Sequence, residues 1–81
     1  MATKTVTVGS TVGLHARPAA LIAQAATNGV TLAMDGKGPV DAGSALMIMT
    51  LGAKFGDQVT VESDDEAMLA TVADLVASNL D

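Results

Sequence analysis

Hydrophobic and polar residues alternate from Thr3 to Val8, where Thr5, Val6, Thr7 and Val8 follow the two-residue period of a half-buried strand. The segment Gly13-Leu14-His15-Ala16-Arg17-Pro18 breaks that alternation, and from Ala19 onward the period changes. Ala19, Ile22, Ala23 and Ala26 fall on one face at helical spacing. Pro18 is tolerated in the first turn, where its missing N–H would have had no partner, so the first helix is expected to begin at His15 or Ala16. Asn28-Gly29 supplies its stop. Val30 to Met34 predicts a second strand, Asp35-Gly36-Lys37-Gly38 a turn, and Pro39 to Ala42 a short third strand, the proline favouring a sheet edge.

The stretch from Ser44 to Gly52 is too rich in Leu and Met for a loop. With Ser44 as its cap and Gly52 at its far end it predicts a short helix. Ile48 and Leu51 then face the sheet, leaving Leu46 and Met49 towards solvent. Alternation returns in Gln58 to Ser63, a fourth strand. Ser63-Asp64-Asp65-Glu66 matches a capping box, with Ser63 at the cap and Glu66 reaching back to it. The final helix carries an apolar stripe of Met68, Leu69, Val72, Leu75, Val76 and Leu80. The resulting order, β-α-β-β-α-β-α, predicts an α+β fold with three helices on one face of a mainly antiparallel four-stranded sheet.

Composition narrows the picture. The chain has 81 residues, 49% of them hydrophobic, so 1–81 is expected to be a single domain. A chain of this size buries roughly 60% of the surface its unfolded form exposes, which keeps the core compact and the stability margin narrow. With one Phe and no Trp or Tyr, the core must be built from aliphatic residues and Met. A net charge of −5 repels phosphate backbones and anionic membranes, so no nucleic acid is expected as partner and no membrane insertion. No apolar run spans a bilayer, and the first residues lack the apolar stretch of a signal peptide, which predicts a cytoplasmic protein; a monomer is expected. The absence of cysteine removes disulfides, thiol chemistry and cysteine-ligated metals, and a single His cannot build a histidine cluster, so neither metal nor cofactor is expected.

Chemistry therefore concentrates at Gly13-Leu14-His15-Ala16-Arg17-Pro18. The first N–H groups of a helix lack internal partners and carry the positive end of its dipole, which makes the start of the first helix an anion site. An imidazole is substantially neutral at physiological pH and can attack phosphorus. The phosphoryl oxygens would meet backbone N–H groups and the Arg17 guanidinium. Residues i and i+2 do not share a helix face, so an Arg17 contact requires His15 to sit at the cap and fold back over the helix end. Without such a role, His15 is a solvated residue and Arg17 a surface charge worth under about 1 kcal/mol. Leu and Met on both sides of the short helix expose an apolar patch suited to several partners, unless it covers the core under the loop from Ala53 to Asp57.

Gly13-Leu14-His15-Ala16-Arg17-Pro18-Ala19 resembles the active-site signature of the HPr family of histidine phosphocarriers, which serve the phosphoenolpyruvate-dependent sugar phosphotransferase system. The chain length, the element order and the segment from Ser44 to Gly52, similar to the family's second signature around a regulatory serine, extend the resemblance to the whole chain. It implies an open-faced β-sandwich and a non-enzymatic carrier that takes a phosphoryl group from phosphorylated Enzyme I and passes it to IIA components of sugar permeases. By that implication His15 is the acceptor, through Nδ1, and Arg17 stabilises the phosphate. Ala16 and Pro18 form the helix N-terminus, and Ala20, Leu46, Met47 and Met49 dock partners.

Ser44 matches the family's regulatory serine, and the resemblance extends the candidate partners to a regulatory kinase or a transcription regulator. Here Gly43 precedes it where a basic residue is common, and Asp41 adds negative charge, so a cap is the expected role of Ser44. Gln24 and Thr27 stand where family members often carry lysines that meet acidic partners. Both a sugar branch and a nitrogen-related branch of the system fit the sequence. The rival from another class, an acyl or peptidyl carrier with Ser44 bearing a phosphopantetheine arm, requires a helical bundle, which the alternating segments oppose. A regulator on the same fold without phosphotransfer would be expected to lack the histidine.

Overall fold

A computed structural model of the chain describes residues 2–27 and 29–78. Its elements run β1 (Ala2–Thr7), α1 (Ala16–Ala25), β2 (Val30–Met34), β3 (Lys37–Asp41), α2 (Ala45–Thr50), β4 (Gln58–Ser63) and α3 (Glu66–Ala77), the expected β-α-β-β-α-β-α order. The four strands form one sheet in the order β1-β4-β2-β3, and every neighbouring pair is antiparallel. This amount of strand excludes the helical-bundle acyl carrier.

Register explains why the helices pack where they do. Val61 of β4 lies opposite Leu32 of β2 on one side and Lys4 of β1 on the other, while Ser63 lies opposite both Val30 and Ala2. Because side chains alternate across a strand, Val59, Val61, Val30 and Leu32 share one face, and all are buried. The helices supply the other half of the core with Ile22 from α1, Ile48 from α2, and Leu69, Val72 and Val76 from α3. The core is wholly aliphatic, as the composition requires. The opposite face stays open, and there the hydroxyls of Thr5 and Thr60 meet at 3.2 Å.

Three boundaries differ from the pattern-based expectation. The first strand is displaced by one residue, from Thr3–Val8 to Ala2–Thr7, with Val8 buried just beyond it. The hairpin turn is shorter than expected, since Asp35-Gly36 alone make it and Lys37 already pairs with Met34. Pro39 therefore lies inside β3 rather than at its start. It is accommodated because β3 is an edge strand and carries one more residue than β2 between the Lys37 and Val40 pairings.

The capping box on Ser63 is also corrected. Ser63 remains in β4, buried, and its Oγ accepts from the Asp65 N–H at 3.0 Å. Asp65 is the true cap, its Oδ1 accepting from the N–H groups of Ala67 at 3.0 Å and Met68 at 3.2 Å. Two competent capping residues stand two apart, and sheet pairing holds the first of them in the strand. Asn28 and Leu80 lie outside the described residues. Elsewhere the expected faces are observed, with Ala19, Ile22 and Ala26 buried along α1 and its C-cap, and Ile48 and Leu51 buried at α2.

Candidate functional site

The β1–α1 loop is held at both flanks before it reaches His15. Gly9 N–H donates to the Val76 carbonyl at 3.1 Å, and Ser10 Oγ donates to the Ser78 carbonyl at 3.3 Å, tying the loop to the end of α3. A Cβ at Gly9 would stand 2.0 Å from the Ala77 carbonyl oxygen, so only glycine permits this approach. On the other flank Leu14 N–H donates to the Ala53 carbonyl at 3.0 Å, and Gly56 N–H to the Val8 carbonyl at 3.1 Å. Gly13, at φ +78°, turns the chain between these anchors, and a Cβ there would lie 2.5 Å from the Ala53 carbonyl oxygen.

Burial then alternates in blocks. Leu14 is buried, His15, Ala16 and Arg17 are exposed, and Pro18 and Ala19 are buried again. The exposed triplet is clamped between apolar anchors, so it is presented to solvent on a fixed backbone. His15 is the N-cap of α1 with extended backbone angles, φ −82° and ψ −164°, and its side chain makes no capping hydrogen bond. The imidazole therefore satisfies none of the helix's first N–H groups. The Ala19 N–H is taken by the His15 carbonyl at 2.8 Å, and Pro18 has no N–H. Of the first helical donors this leaves the N–H groups of Ala16 and Arg17 outside the helix ladder. No acidic residue stands in the first turn, so the helix offers Arg17 no neighbouring carboxylate there. The capping position meets the first of the two conditions for an Arg17 approach to the imidazole, while no capping hydrogen bond holds the ring folded over the helix end, which is the second. Among the described residues no three His, Asp or Glu side chains gather as metal ligands.

Ser44 is the N-cap of α2, its Oγ accepting from Met47 N–H at 3.3 Å. The Asp41 carboxylate is held beside it by accepting from Gly43 N–H at 2.8 Å. Along α2, Leu46 is 70% exposed, Met47 41% and Met49 37%, so these side chains do not serve as cover for the core beneath the 53–57 loop. Ala20 is half-buried on α1, which packs against α2. Three further large apolar residues are exposed beyond those expected from the sequence: Val12, in the loop leading to His15, Leu21, next to Ala20 on α1, and Phe55, 61% exposed in the loop that anchors Leu14. The signal for Phe55 was its solitude, a lone aromatic between Lys54 and Gly56 in a turn rather than in an apolar run.

The molecule is a small α+β domain, a four-stranded antiparallel sheet covered on one face by three helices, with His15 at the N-cap position of the first. The family model described as the PTS HPr component phosphorylation site matches residues 2–78. The chain belongs to the HPr family. It is 42% identical over 87 aligned residues to a phosphocarrier protein HPr of Streptomyces coelicolor, covering all of this chain and 94% of that one. The crystal structure of a phosphocarrier protein HPr from Bacillus anthracis superposes with a TM-score of 0.82 at 37% identity, over 93% of this chain and 95% of that one. That of HPr-C-His from Thermoanaerobacter tengcongensis gives 0.82 at 34% identity, over 94% and 91%.

Proposed function

We propose that this chain is a phosphocarrier of the phosphotransferase system, accepting a phosphoryl group from phosphorylated Enzyme I on His15 and delivering it to IIA components of sugar permeases. One observation carries this: His15 caps α1 with an exposed imidazole that makes no capping hydrogen bond, next to main-chain donors outside the helix ladder. A ring nitrogen, Nδ1 by family likeness, attacks phosphorus. The new N–P bond forms as the bond that holds the phosphoryl group to Enzyme I breaks, and the electron pair of the broken bond stays with the Enzyme I atom that carried it. The N–H groups of Ala16 and Arg17, with the Arg17 guanidinium, bind the phosphoryl oxygens as charge-assisted donors. Pro18 fixes the backbone of that turn without competing as a donor.

The chain then acts as a carrier rather than an enzyme, since the phosphoryl group leaves on the next partner by the same step in reverse. Leu46, Met47 and Met49, with Ala20 on the adjoining helix and Phe55 on the anchoring loop, form the surface that meets Enzyme I and IIA alternately. Ser44 serves as a helix cap rather than a kinase target, with the Asp41 carboxylate held nearby. A cytoplasmic setting fits these partners, and no helix among the described residues is long and apolar enough to cross a membrane.

The test mixes the protein with phosphoenolpyruvate and Enzyme I and follows intact mass. The expected product carries one phosphoryl group, lost in acid and stable in base as a phosphoramidate is. An adduct stable in acid would point to a hydroxyl acceptor, and no adduct at all would contradict the proposal.

A further inference from the structure

With no Cys, Trp or Tyr, the side chains open to mild two-electron oxidation are five methionine thioethers. They are not distributed evenly over the surface. Met34 and Met68 are partly buried and packed against the core, and Met1 lies outside the described residues. Met47 and Met49 are exposed, and both stand on α2 beside Leu46, the most exposed large hydrophobic residue among the described residues. Among the described residues, the exposed methionines thus both lie in the apolar patch assigned above to partner docking. Neither thioether has a part in the backbone frame of α2, whose cap is the Ser44 hydroxyl and whose inner face is Ile48 and Leu51.

We propose that Met47 and Met49 form an oxidant-sensitive modification site through which peroxide uncouples this carrier from its partners while leaving the fold and His15 intact; this rests on the docking role of α2. In the step, the thioether sulfur attacks one oxygen of hydrogen peroxide. An S–O bond forms, the O–O bond breaks, and the displaced hydroxide takes a proton to leave as water. Sulfur is oxidised by two electrons and peroxide reduced by two. The sulfoxide replaces a soft apolar tip with a strongly polar one that must be desolvated on docking, and reduction by methionine sulfoxide reductases restores the thioether.

The experiment treats the whole protein with hydrogen peroxide, locates oxygen uptake by peptide mass, and measures binding to Enzyme I by calorimetry, with circular dichroism to follow the fold. Met47 and Met49 are expected to oxidise ahead of Met34 and Met68, with an unchanged spectrum and binding weakened by about tenfold or more, reversed by reductase treatment. The double variant Met47→Leu, Met49→Leu, whatever its own affinity, is expected to show no further change with peroxide. Earlier oxidation of Met34 or Met68, or persistent peroxide sensitivity in the double variant, would overturn the proposal. Leu46→Asp is run in parallel. If it weakens binding while oxidation of both methionines does not, docking through α2 stands and the oxidation site falls; if neither weakens binding, the docking role itself has failed.

Discussion

The exposure of His15 is the work of its neighbours, since Leu14 and Pro18 are buried on either side of the three residues that reach solvent. In the proposed phosphate site Arg17 would be the one charged donor beside neutral amides. A charge-assisted hydrogen bond to phosphate is worth roughly 1.5–3 kcal/mol, so Arg17→Ala is expected to keep its fold and slow phosphotransfer about 10- to 150-fold if the contact is fully made in the transition state. Rapid-quench transfer from Enzyme I measures this, and unchanged rates would reduce Arg17 to a surface charge. Ser44 has a different kind of role. Its hydroxyl caps α2, so Ser44→Ala should lower unfolding free energy by about 1 kcal/mol in a denaturant titration. Ser44→Asp retains a capping oxygen but puts a charge beside the Leu46 patch, and should impair transfer more than stability. Equal stability of wild type and Ser44→Ala would show that the cap is idle.

At the scale of elements, α2 matters because its six residues divide between two tasks, with Ile48 closing the core and Leu46, Met47 and Met49 left outside. A charge in a desolvated apolar contact costs several kcal/mol unless it finds a partner. Met49→Asp is therefore expected to weaken Enzyme I binding while His15 remains competent, and wild-type affinity in calorimetry would remove α2 from the interface. The sequence made this helix legible because a serine cap, a closing glycine and the Ile48–Leu51 spacing agree. It misplaced the start of α3 because Ser63 and Asp65 are both good caps, and only the pairing of Ser63 with Ala2 and Val30 decides between them. It placed Pro39 at a strand start because an edge position and an extra residue in β3 are tertiary facts. Phe55 escaped notice for a related reason, since its significance lies in the hydrogen bond from Leu14 to Ala53, across some forty residues of chain.

For the molecule as a whole, a wholly aliphatic core in a chain of 81 residues leaves little stability in reserve. Ile22 is fully buried where α1 meets the rest of the core, and Ile22→Ala should cost about 2–5 kcal/mol, read as a fall in the denaturant midpoint. A loss well under 1 kcal/mol would mean that α1 is not anchored there. The His15 site was legible as chemistry, from a lone His before Arg and Pro at a helix start. Its support was not, because the carbonyls that hold the loop come from Ala53, Val76 and Ser78, distant in sequence and brought close only by the fold. The central claim is that His15 alone carries the phosphoryl group. Intact mass of His15→Ala after incubation with phosphoenolpyruvate and Enzyme I, beside a circular dichroism spectrum, tests it most directly: a folded variant with no added phosphoryl group is predicted, and full phosphorylation of that variant would contradict the account.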